Sequence, residues 1–202
     1  MLRLFIGVDV PPLASLCRPI DRLGRMGSSV RPVRPDAMHI TLRFLGETDP
    51  RHIDPICHAM DAAVREAVDA GWLSPFDLLL THIGTFPVKP DPTPRVVFAA
   101  PADPGPLTKL SDAIDEQLDM LGLPIAERDN PFHAHATLAR IKRRRTPDRR
   151  VSADLPRLIE EARRTRLGKA PLKAVKLVES RIGPHGPDYT ARHVSFFQPA
   201  RE

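Results

Sequence analysis

The chain has 202 residues, enough for one core or for two small packed lobes, with 42% hydrophobic and 27% charged residues. Those proportions exclude a disordered chain, and no run approaches the roughly 18 apolar residues of a membrane span. Two cysteines make neither a disulfide framework nor a zinc cluster, and a net charge of +5 leans towards anionic partners, nucleic acid among them.

Residues 2–9 read as a first strand. Their apolar stretch resembles a signal peptide but meets Asp9 and two prolines at once, so a cytoplasmic protein is expected. Pro11 and Pro12 open a helix carrying Leu13, Leu16, Cys17, Ile20 and Leu23, with Pro19 as a candidate break. Cys17 and Cys57 are read as small core hydrophobes. Residues 37–45 alternate strictly and predict a strand. Ile53 to Ala67 have helical spacing, residues 76–83 and 95–100 read as strands, and Leu107 to Leu121 form an amphipathic helix ended by Gly122. A strand from 132 to 141 follows, then the basic stretch 142–150, a charged helix around 155–164, and closing strands at 172–182 and 189–197. Many strands are joined by short turns, so the class is α+β with mainly antiparallel sheets. No Gly-rich phosphate loop, G-x-S-x-G or H-E-x-x-H motif occurs.

One pattern occurs twice: His39-Ile40-Thr41-Leu42 and His135-Ala136-Thr137-Leu138. Nearly half the chain separates the copies, which suggests two similar halves giving one strand each. On a strand, His39 and Thr41 share one face while Met38, Ile40, Leu42 and Phe44 share the other. His135 and Thr137 likewise oppose Ala134, Ala136 and Leu138. Two such strands side by side offer two imidazoles and two hydroxyls to one cleft. That set suits phosphodiester chemistry. One histidine takes a proton from water, the other protonates the leaving oxygen, and the hydroxyls bond the charged phosphoryl oxygens. No metal or other cofactor is required.

Arg43 shares the face of His39 and Thr41 by alternation, so it could reach a phosphate or lie in solvent. His133 faces the same way as His135. His133-Ala134-His135 could be read as part of a metal site, but no third ligand of convincing spacing accompanies it. Arg140 falls on the opposite face from His135 if the strand is regular. The basic stretch 142–150 could guide an RNA backbone or be a solvated loop.

Together these segments resemble the 2H phosphoesterases, and within them the RNA 2′,3′-cyclic phosphodiesterase group, also described as 2′-5′ RNA ligase-like. Residues 3–11, 34–47, 84–87, 132–140 and 178–189 carry the likeness. The resemblance implies a single bilobal domain over residues 1–202, with a pseudo-twofold axis and a cleft between two mainly antiparallel sheets with flanking helices. It implies metal-independent opening of an RNA 2′,3′-cyclic phosphate end to a 2′-phosphate. His39 would donate the proton to the 3′ oxygen and His135 would activate water. Thr41 and Thr137 would hold the phosphate, and Arg140 would act near the site, after a bulge or at the strand end. Alternatives are 2′-5′ RNA ligation, hydrolysis of a small cyclic nucleotide, a non-catalytic RNA-end binding module, and a metal-dependent hydrolase using His133 and His135. A monomer is the default expectation.

Overall fold

The computed structural model describes residues 1–87, 94–123, 132–142, 149–163, 166–183 and 186–198. In chain order the elements are β1 (Leu2–Asp9), α1 (Ala14–Gly24), β2 (Val30–Pro32), β3 (His39–Thr48), α2 (Ile53–Asp69), β4 (Phe76–Phe86), β5 (Val96–Pro101), α3 (Gly105–Met120), β6 (Ala136–Ile141), α4 (Arg149–Arg163), β7 (Gly168–Leu172), β8 (Ala174–Gly183) and β9 (Gly186–Phe196). Pro19 does not break α1. Leu16, Ile20 and Leu23 are buried on one face, and that packing outweighs the lost backbone bond. Cys17 is exposed and is not the core residue expected, whereas Cys57 is half-buried and packs against the core. No helix among the described residues is long and apolar enough to cross a membrane.

All strand pairings are antiparallel, in the order β7-β4-β5-β6-β3-β1-β8-β9, with β2 beside β6. The two expected sheets are the two halves of this array. They meet at one pair, Ile40 with Ala136, both fully buried. Helices cross over between the halves: α1, which follows β1, packs on β2 and β6, while α3, which follows β5, packs on β3. Each half thus receives one helix launched by the other half's strands, beside one of its own (α2 on β9, α4 on β4), and the exchange ties the halves together.

The halves correspond residue by residue around the central pair. Val8 faces Ile40 as Ala99 faces Ala136, and Gly7 faces Thr41 as Phe98 faces Thr137. Ile6 then faces Arg43 as Val97 faces Ala139, and Phe5 faces Phe44 as Val96 faces Arg140. In both ladders one leucine, Leu42 or Leu138, is the extra residue of a β-bulge. A bulge reverses the alternation beyond it. Leu42 and Arg43 are therefore buried in succession, as are Leu138 and Ala139. Gly7 is required in the first ladder, because a Cβ there would lie 2.7 Å from the Ile40 carbonyl oxygen.

Candidate active site

His39 opens β3 and His135 immediately precedes β6. The antiparallel register about Ile40 and Ala136 brings His39 beside Thr137 and His135 beside Thr41, on the face turned away from the buried pair. The two histidines and two threonines expected on one face are there together. Among the described residues, neither threonine hydroxyl is committed to a hydrogen bond.

Each imidazole is oriented in the same way. His39 Nδ1 donates to the Ala37 carbonyl at 2.9 Å, and His135 Nδ1 donates to the His133 carbonyl at 2.7 Å. A carbonyl can only accept, so Nδ1 carries the hydrogen and Nε2 is the nitrogen left to accept a proton in both neutral rings. Aromatic side chains wall the rings in. Phe5 stacks on His39 with centroids 4.7 Å apart, and Tyr189 meets it edge-on at 4.9 Å. Phe86 and Phe98 meet His135 edge-on at 5.0 and 5.4 Å and stack on each other at 4.4 Å. A Cβ on Gly84 would lie 2.6 Å from the Phe98 ring, so this glycine makes room for it.

Burial in these walls pushes the pKa of both histidines below the ordinary value. For His39 the hydrogen bond to Ala37 and then the Asp9 carboxylate oppose that effect, while Arg140 and His135 add to it. For His135 the hydrogen bond to His133 opposes burial, and the charges of Arg140 and His133 add to it. Burial also raises the Tyr189 phenol, which stays neutral in the working range.

Arg43 corrects a sequence expectation. The Leu42 bulge turns it off the face of His39 and Thr41 and into the interface with α3, where it is 8% exposed. Its Nε donates to Asp115 Oδ1 at 2.8 Å and its Nη2 donates to Asp115 Oδ2. Phe44, expected in the core, takes the vacated direction and is 41% exposed. Arg140 moves the opposite way. The Leu138 bulge brings it round to the histidine face, where its charge reaches His39, His135 and Tyr189. His133 is exposed, with its ring 6.2 Å from that of Phe86, and its carbonyl is what holds His135. Of the basic stretch 142–150, residues 143–148 lie outside the described residues. Among the described residues, no group of three or more His, Cys, Asp or Glu could hold a metal ion.

Sequence reasoning missed Phe5, Asp9, Phe86, Phe98 and Tyr189. A cavity of ≈ 210 Å³ beside His39 is lined by Phe5, Asp9, Asp36, Lys176 and Tyr189 among others. Alternation along β1 could have flagged Phe5, Gly7 and Asp9 as one face. Tyr189, the chain's one tyrosine, reaches the site only through the pairing of β9 with β8 and of β8 with β1. The arrangement offers two imidazole Nε2 atoms, two hydroxyls and one guanidinium to a single face. That is the equipment for proton transfer in both directions about a bound anion.

Comparison with known proteins places this geometry. Residues 12–181 match the sequence model of the 2′-5′ RNA ligase superfamily. A protein named RNA 2′,3′-cyclic phosphodiesterase from Archaeoglobus fulgidus is 30% identical over 189 residues, covering 93% of this chain and 96% of that one. One of the same name from Thermus thermophilus is 34% identical over 164 residues, covering 79% of this chain and 72% of that one. The crystal structure of TT0787 of Thermus thermophilus superposes with a TM-score of 0.74 at 27% identity, over 98% of this chain and 100% of that one. That of E. coli LigT complexed with 3′-AMP gives 0.62 at 21% identity, over 96% and 97%, and so shares the fold.

Proposed function

Given that the chain belongs to the 2′-5′ RNA ligase superfamily, we propose that it hydrolyses 2′,3′-cyclic phosphate ends of RNA to 2′-phosphates without a metal ion. The observation that carries this reading is the matched pair of histidines, each with Nδ1 tied to the carbonyl two residues back and Nε2 free to face a shared anion. In the neutral form Nε2 accepts a proton, and in the charged form it donates one. His135 Nε2 takes a proton from water as the water oxygen bonds to phosphorus. The bond from phosphorus to the 3′ oxygen breaks, and His39 Nε2–H gives that oxygen its proton. Atoms and charge balance, and the histidines leave the cycle with their protonation exchanged, restored through solvent. Thr41, Thr137 and Arg140 donate hydrogen bonds to the phosphoryl oxygens, where negative charge gathers in the transition state. The names of the relatives and the basic net charge both favour RNA as the carrier of the cyclic phosphate.

The test is a substrate panel read by product. A short RNA with a 2′,3′-cyclic end, a cyclic mononucleotide and a 2′-5′-linked dinucleotide are incubated separately with the protein. The RNA end is expected to turn over with the highest kcat/KM and to leave the phosphate on the 2′ oxygen. A 3′-phosphate product would refute the assignment of the leaving oxygen. Turnover confined to the dinucleotide would refute the hydrolase reading.

A further inference from the structure

The twofold that relates the histidines does not relate their surroundings. Around the central pair, Asp9 is the cross-strand partner of His39. The corresponding position next to His135, one residue beyond Ala99 on β5, is Ala100. Asp9 lines the same small cavity as His39, and its Oδ2 accepts a hydrogen bond from Lys176 Nζ on β8. Its side chain is 57% exposed, so neither burial nor the lysine takes its charge out of play.

We propose that Asp9, moderated by Lys176, is a positioning residue that breaks the symmetry of the pair by favouring the charged, proton-donating form of His39, with no counterpart beside His135. This deepens the cyclic-phosphate reading above and rests on it. The groups facing His39 are Asp9 from β1, Asp36 from the turn before β3, Lys176 from β8, Tyr189 from β9, and Arg140 and His135 from the β6 side. Asp36 is engaged with Arg34 at 3.4 Å, and Tyr189 is neutral. Arg140 acts against the charged form of both histidines, and the His135 charge acts against that of His39. Asp9 favours the imidazolium at His39, and no carboxylate occupies the matching place beside His135. Burial and the His135 charge both act against the imidazolium of His39, and the Asp9 carboxylate, whose counterpart beside His135 is Ala100, is among the described residues the one side-chain charge that opposes them.

The test follows the histidine Cε1–H resonances of the intact protein through a pH titration, beside the pH profile of kcat/KM. Asp9→Asn keeps the shape and removes the charge. It should lower the titration midpoint of His39, and the limb of the profile that follows His39, by roughly half a pH unit for a charge shared with solvent and lysine. His135 and the other limb should stay in place. Asp9→Glu should restore the wild-type midpoint. Lys176→Met should move His39 the other way, upwards, because the carboxylate loses its counter-charge. A purely structural role would lower activity at every pH and move neither midpoint. The proposal is overturned if His39 does not move in Asp9→Asn, if His135 moves equally, or if both charge removals shift His39 in one direction. The titrations are read on the free protein, so they judge Asp9 apart from turnover. A wild type inert towards every cyclic end would refute the parent reading.

Discussion

Removing the carboxylate of Asp115 separates two readings of Arg43. Alternation alone puts Arg43 in the site; the structure puts it under α3, bonded through Nε and Nη2 to one carboxylate. Asp115→Ala strands a guanidinium whose side chain is 9% exposed. Breaking a buried pair in this one-sided way costs about 3–5 kcal/mol, reduced here to about 2–4 because Asp115 itself is 23% exposed. For a chain of this size each kcal/mol lowers Tm by about 2–4 °C, so a fall of about 5–15 °C is expected. Replacing both partners by apolar residues, Arg43→Met with Asp115→Leu, should recover most of it, since no charge is then left buried. Calorimetry gives Tm, and kcat/KM measured well below it should stay within about twofold of wild type in both variants. Loss of activity with an unchanged Tm would refute the structural assignment and return Arg43 to the site.

Arg140→Met should lower kcat/KM by about 10²–10³-fold, the scale for a lost anion-stabilising donor. Because Arg140 depresses both histidines, both limbs of the pH profile should also move upwards; unmoved limbs would mean that its charge lies outside the cleft. Gly7→Ala should cost about 1–3 kcal/mol, since its Cβ meets the Ile40 carbonyl oxygen at 2.7 Å and forces β1 from β3; a Tm within about 1 °C of wild type would contradict the packing. Both histidines titrate lower when folded than when unfolded, so the unfolded chain binds more protons and stability falls as pH drops below about 6.5. Replacing both with Gln should flatten that part of the stability curve, as followed by urea unfolding between pH 7 and 5.

The sequence shows the site's centre plainly and its periphery poorly. His39, Thr41, Ile40 and Leu42 obey a period of two, as do their partners around Ala136, so the histidine face and the core face could be separated by pattern alone. Pattern fails one bulge further on. An inserted residue has no signature of its own in Leu42-Arg43 or Leu138-Ala139, yet it exchanges the faces of everything beyond it. Arg43 and Phe44 trade places, and Arg140 comes to the histidines. The strand expected from residue 132 also starts later, since residues 132–135 precede β6. They are nonetheless held, because His133 supplies the carbonyl that orients His135. Tyr189 escapes notice for a different reason. Its place depends on which distant strands pair, and local periodicity carries no record of that.

Whether the two histidines act as one acid–base pair on a cyclic phosphate is decided by single-turnover kinetics. The substrate is an RNA with a 2′,3′-cyclic end, in EDTA, and the proteins are wild type, His39→Asn, His135→Asn and the double variant. The wild type should yield a 2′-phosphate with the chelator present. Each single replacement should cost about 10²–10⁴-fold, and the double should cost little more than the worse single, because the two residues work as a unit. Wild-type activity abolished by the chelator, or single variants that retain most of their rate, would contradict the paired mechanism.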